Sequence, residues 1–143
     1  RYLPMIQLIV GEEGKGKTKH LLDKVNSEIK EATGNIVFLD RSSKHMFELN
    51  NKVRLINVSE YDFEDVSEFI GFIYGITSQD HDMQQMYIDG IMKLAKLDKD
   101  SLETVVKRLE KISEKFGFDI IISASIDESK LSDDLKKLVI VSL

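Results

Sequence analysis

Apolar residues along this chain fall into two alternating patterns. One is the short, nearly unbroken run: Met5 to Val10, Asn35 to Asp40, Val53 to Val58, Gln85 to Asp89, Phe118 to Ser125, and Leu138 to Leu143. A strand covered by helices on both faces has no solvent-facing register, so it reads as continuous apolar sequence. The other pattern is helical. Leu21, Leu22, Val25, Ile29 and Ala32 recur at three- and four-residue steps before Gly34 as a stop. Phe63, Val66, Phe69, Ile70, Ile73 and Ile76 predict a strongly apolar helix, and Phe72 and Tyr74 widen its stripe. Ile91 to Leu97 predicts another. Asp100 and Glu103 then have capping-pair spacing before a helix carrying Leu102, Val105, Leu109, Ile112 and Phe116, which Gly117 ends. Ser132 to Lys137 reads as a brief capped helix.

Strands and helices that alternate in this way predict an α/β protein: a three-layer α/β/α sandwich on a mainly parallel sheet. The segment from Met5 to Asp40 is a βαβ unit. Arg41 to Asn51 is polar and interrupted, with room for one helical turn around His45 to Leu49. A single Pro, no Gly/Ser-rich linker and no internal repeat make residues 1–143 one domain, long enough to bury a core.

Composition narrows the function classes. With 42% hydrophobic and 31% charged residues the chain has a globular balance, and no apolar run approaches the roughly 20 residues that span a bilayer. Arg1 to Pro4 is too short for a signal peptide. The absence of cysteine removes disulfides, thiolate metal sites and a thiol nucleophile, which fits a cytoplasmic setting. A net charge of −5, from 25 acidic and 20 basic residues, does not indicate a broad nucleic-acid footprint. Lys15, Lys17, Lys19, His20 and Lys24 nevertheless gather at one place.

That place is Gly11-Glu12-Glu13-Gly14-Lys15-Gly16-Lys17-Thr18, a match to Gly-x-x-x-x-Gly-Lys-[Ser/Thr] between a strand and a helix. Gly11, Gly14 and Gly16 let backbone N–H groups converge on a polyphosphate, and the helix N-terminus favours the anion. Lys17 is positioned to reach β- and γ-phosphates and Thr18 to ligate Mg²⁺. Lys15 and Lys19 are additional candidate phosphate contacts, with solvent as the alternative for Lys15. Glu12 and Glu13 are expected to face solvent, since either would repel phosphate. Asp89 ends an apolar strand and is the candidate second metal carboxylate, a helix cap being the alternative. His81 lies between Asp80 and Asp82, but sequence neighbours converge poorly on one ion, so a solvated loop is expected there.

Taken together, the chain resembles a P-loop NTPase over essentially its whole length, with Gly11 to Thr18 as Walker A and Met86 to Asp89 as Walker B. One β-α pair between these motifs, and Ser123 and Ser125 where a polar sensor would stand, resemble the RecA-like division, including DNA-pumping and secretion ATPases and small bacterial ATP-binding proteins. The resemblance implies a sheet order of 5-1-4-3-2, with ATP and Mg²⁺ as ligands. It also marks departures. Gly90 follows Asp89 where many relatives have Glu, which leaves Asp40 as the candidate to orient the attacking water and Lys17, Asp40 and Asp89 as the catalytic set. The extra domains of motor ATPases are missing, as is the Asn-Lys-x-Asp guanine motif. Arg41, beside Asp40, is a candidate phosphate contact. A slow Mg²⁺-dependent ATPase is the first expectation. A nucleotide-binding regulatory or assembly module, joining a second copy or a protein partner through the 63–76 helix, and a small-molecule kinase are the alternatives.

Overall fold

The computed structural model describes residues 5–143, so expectations about Arg1 to Pro4 lie outside the described residues. Six strands form one open, all-parallel sheet: β1 (Ile6–Gly11), β2 (Asn35–Asp40), β3 (Arg54–Asn57), β4 (Met83–Ile88), β5 (Asp119–Ser125) and β6 (Val139–Ser142). Their order across the sheet is β3-β2-β4-β5-β1-β6. The expected five-strand order 5-1-4-3-2 therefore does not describe the sheet as it stands, because all six apolar runs pair, with β3 and β6 at the edges.

Period-two alternation divides the strand side chains between two cores. Leu8, Val10, Val37, Leu39, Met86, Ile88, Ile120 and Ile122 share one core with α2 (Val66–Ser78), α3 (Ile91–Leu94), α4 (Lys99–Phe116) and α5 (Asp133–Lys136). Ile9, Ile36, Phe38, Tyr87 and Ile121 share the other with α1 (Lys17–Glu28). Helices thus cover both faces, which is why the central strands carry no polar register. Each fully buried Leu, Ile or Phe contributes on the order of 1.5–3 kcal/mol, and α2 places Phe69 and Ile73 fully inside.

Several boundaries differ from expectation for identifiable reasons. The cap of α4 is Asp98, not Asp100: Asp98 accepts from the Ser101 N–H at 2.8 Å, and Ser101 Oγ accepts from the Asp98 N–H at 3.1 Å. Asp98 and Ser101 have the same three-residue spacing as Asp100 and Glu103, and the Leu102 N–H donates to the Asp98 carbonyl at 3.2 Å, so the helix starts two residues earlier. Phe116 leaves the buried stripe at the last turn and is 44% exposed, meeting Tyr74 of α2 edge-to-face at 6.3 Å. β6 is half-buried rather than buried because it pairs on one side only; Ile140 is 43% exposed. Residues 43–48 make hydrogen-bonded turns (Met46 N–H to Ser43 O, Glu48 N–H to His45 O) and no helix. α1 ends at Glu28, before Ala32 and Gly34. Among the described residues no helix is long and apolar enough to cross a membrane.

Candidate functional site

Parallel register brings the C-terminal ends of four strands to one level. Leu39 of β2 pairs with Ile88 of β4, and Ile88 with Ile122 of β5, so Asp40, Asp89 and Ser123 each stand one residue past an aligned row. Gly11, at the end of β1, pairs with Ser125. The crevice outside these carboxyl ends is where open α/β sheets bind ligands. Here it is a cleft of about 530 Å³ lined by Glu13, Gly14, Gly16, Lys17, Thr18, Asp40, Arg41, Ser42, Lys44, His45, Asp89, Gly90, Lys93, Ser123 and Ser125.

The loop from Gly11 to Gly16 explains its own glycines. Gly14 (φ +81°) and Gly16 (φ +93°) take left-handed conformations, and no atom lies within 4 Å of where a Cβ would stand on either. They are required by backbone conformation and leave open space beside the chain, so an anion could approach the loop there. Lys17 opens α1 and is buried; its Nζ donates to the Glu12 carbonyl at 2.9 Å, folding the side chain back along the loop. Burial lowers the Lys17 pKa, opposed by the charge of Asp89.

Beside it lies a network that joins three elements. Thr18 Oγ1 approaches both Asp89 oxygens, at 3.0 and 3.2 Å. Ser123 Oγ donates to Asp89 Oδ1 at 2.7 Å and accepts from the Gly90 N–H at 2.7 Å. Asp89 is therefore held by the helix after the loop and by the neighbouring strand; it does not cap α3, whose N-cap is Gly90, with no side-chain cap. Asp40 is buried beside it. Its Oδ1 accepts from the Arg41 N–H at 2.7 Å, while Oδ2 is buried with no partner. Burial raises the Asp40 pKa, and the nearby negative charge of Asp89 adds to the rise. Donor atoms of Asp40, His45 and Asp89 lie within 4.8 Å of one another.

The cleft thus assembles Gly14, Gly16, Lys17, Thr18, Asp40, Asp89 and Arg41 from the sequence reading. Gly11 stays in β1 and outside the lining. Lys15 and Lys19 are exposed and also outside it, with Lys19 paired to Asp23 at 3.4 Å. Glu12 and Glu13 are exposed as expected, yet Glu13 forms an ion pair with Lys93, which holds its carboxyl below the usual range. His81 and Asp82 are exposed on a turn. Ser42, Lys44, His45 and Lys93 were not anticipated in the cleft. Ser42, Lys44 and His45 follow the apolar end of β2 on turns, which carry no periodicity, and Lys93 sits on α3 shortly after β4; position beyond an apolar strand end was the available signal. The donor set suits a hard dication, with two carboxylates and a hydroxyl, and the partnerless Asp40 oxygen is a position a cation or water would satisfy.

No family model matches this chain, and no curated protein matches it.

Proposed function

We propose that the chain binds a nucleoside triphosphate, ATP in the first instance, with Mg²⁺ and hydrolyses it slowly, as a P-loop NTPase of the RecA-like division. The observation that carries this reading is the contact of Thr18 with Asp89, 71 residues apart in sequence. It puts the hydroxyl that ends the glycine loop against the carboxylate that ends an apolar strand. The sheet lends support: with edge strand β3 set aside and the other five renumbered along the chain, the order becomes 5-1-4-3-2.

In this reading the loop amides and Lys17 receive the phosphates, and Lys17 exchanges the Glu12 carbonyl for a phosphate oxygen. Thr18 and Asp89 hold the metal, with Ser123 fixing the Asp89 carboxylate. Bound Mg²⁺ would neutralise charge on the phosphoryl oxygens and favour water attack. Asp40 lines the cleft, and its buried, partnerless Oδ2 would turn toward that water to accept a hydrogen bond and orient it. No Glu stands beside Asp89, where Gly90 follows, so turnover is slow.

A nucleotide-dependent assembly module is the second reading. Tyr74 and Phe116 favour it, as they place two exposed aromatic rings side by side on α2 and α4. Binding and hydrolysis of ATP by the purified chain and by Lys17→Ala test the first reading. Loss of both in the variant is expected; hydrolysis that survives the change would exclude the loop as its site. Binding without turnover would favour the second.

A further inference from the structure

We propose that Asp40, His45 and Asp89 form a site for a first-row transition-metal dication of the Zn²⁺ class, separate from the nucleotide's Mg²⁺ and able to fill without nucleotide. It shares Asp89 with the phosphate site and Asp40 with the water-holding arrangement proposed above, yet its filling does not depend on nucleotide binding or hydrolysis.

Three observations converge on it. One donor atom from each residue lies within 4.8 Å of the other two. Metal–ligand bonds of about 2 Å place the ligands of a common ion about 3–4 Å apart, so a small inward movement completes the set. His45 can supply that movement, because it sits in the turns after β2 rather than in a strand. Next, Asp40 lines the cleft but is only 6% exposed, and its buried Oδ2 has no hydrogen-bond partner. A buried, partnerless carboxylate oxygen beside a second carboxylate is costly unless a cation joins them. Finally, His45 Nδ1 lies 3.0 Å from Glu48 Oε1. With Glu48 accepting from Nδ1–H, Nε2 keeps the lone pair. A carboxylate behind an imidazole is the arrangement that orients metal-binding histidines and raises their basicity.

The donor chemistry selects the ion. One imidazole nitrogen and two carboxylates suit Zn²⁺, Co²⁺ or Mn²⁺, whereas Mg²⁺ prefers oxygen donors and retains its waters. Asp40 cannot give the same oxygen to an ion and to a water, so a bound ion displaces the water-holding arrangement proposed for hydrolysis.

Titration of the nucleotide-free chain with Zn²⁺ by calorimetry, and with Co²⁺ by its visible absorption, tests this site. One equivalent is expected to bind. His45→Gln and Asp40→Asn should each weaken binding by about tenfold or more, and Glu48→Gln by at least about tenfold through loss of the supporting carboxylate. Lys17→Ala removes a cation that interacts with Asp89, so it should bind Zn²⁺ at least as tightly as wild type while losing nucleotide, which separates failure of this site from failure of the phosphate reading. Circular dichroism establishes that each variant is folded. Unchanged Zn²⁺ affinity in folded His45→Gln, or no stoichiometric binding by the folded wild-type chain, would overturn the proposal.

Discussion

Ser123 Oγ donates to Asp89 Oδ1 at 2.7 Å while the same oxygen accepts from the Gly90 N–H at 2.7 Å. One buried hydroxyl thereby fixes the strand-end carboxylate and satisfies the amide that follows it. Asp89 belongs to the end of β4 and Ser123 to its neighbour β5, so the pairing of the two strands itself aims the carboxylate at Thr18.

Replacing this hydroxyl should therefore affect stability and the site together. Ser123→Ala leaves the Gly90 N–H unpaired and frees Asp89 to rotate, at a cost of about 1–3 kcal/mol. Chemical denaturation checks the first effect and metal-nucleotide affinity the second. A variant as stable as wild type would mean that solvent reaches Gly90 and replaces the hydroxyl.

Asp40 gives a prediction with a definite pH sign. Its folded pKa is raised, by burial first and by Asp89 second. The folded state then holds this proton more tightly than the unfolded chain does. The associated stability is complete below the ordinary carboxylate pKa and is lost as pH climbs through the raised value. Asp40→Asn removes the dependence, so in ligand-free, metal-free buffer the variant should gain on wild type as pH rises through the raised value. Urea midpoints measured from acidic to neutral pH test this, and parallel curves for the two proteins would contradict it.

Two glycines of the loop should fail in different ways. Gly11 has φ +152°, and a Cβ on it would stand 2.9 Å from the Leu143 carbonyl oxygen and 3.0 Å from Leu143 Cβ. Gly11→Ala must displace the end of the chain beside β1, and a loss of about 1–3 kcal/mol is expected from strain of this kind. Gly14, in open space at φ +81°, meets only the left-handed backbone penalty of about 1–2 kcal/mol. Its alanine variant should instead lose affinity for polyphosphate, because the methyl group intrudes where loop amides face the anion. Thermal unfolding and triphosphate binding on both variants separate these outcomes.

Much of this arrangement was legible from residue order alone. The glycine loop is local, and central strands announce themselves because double-sided burial makes them continuously apolar, as in Ile120-Ile121-Ile122. The neighbours of each strand were less accessible. Asp40 and Asp89 meet because β2 pairs with β4, a contact between residues 49 positions apart that no period encodes. His45 and Lys93 entered the cleft unannounced for the same reason, being brought there by loop path and by α3. The α4 cap shows the complementary limit: two acidic starts with equal spacing look alike in sequence, and only the hydrogen bonds actually made, Asp98 with Ser101, separate them.

Lys93 leads to the last prediction. It lines the cleft, yet its charge is engaged by Glu13 of the loop, and both side chains are more than half exposed. A polyphosphate entering the cleft competes with Glu13 for that ammonium group. Glu13→Gln should release Lys93 and strengthen polyphosphate binding by about threefold, the scale of an exposed ion pair, with a larger gain at low salt. Glu13's pKa is lowered, chiefly by its hydrogen bond from Lys93, so the pair persists through the ordinary carboxylate range and opens only as pH falls through that depressed value. Wild-type affinity should approach that of the variant there and fall behind it at neutral pH. Titration of both proteins with inorganic triphosphate at two salt concentrations checks the result. Weaker binding by Glu13→Gln would show that Glu13 orients Lys93 toward the anion instead of holding it away.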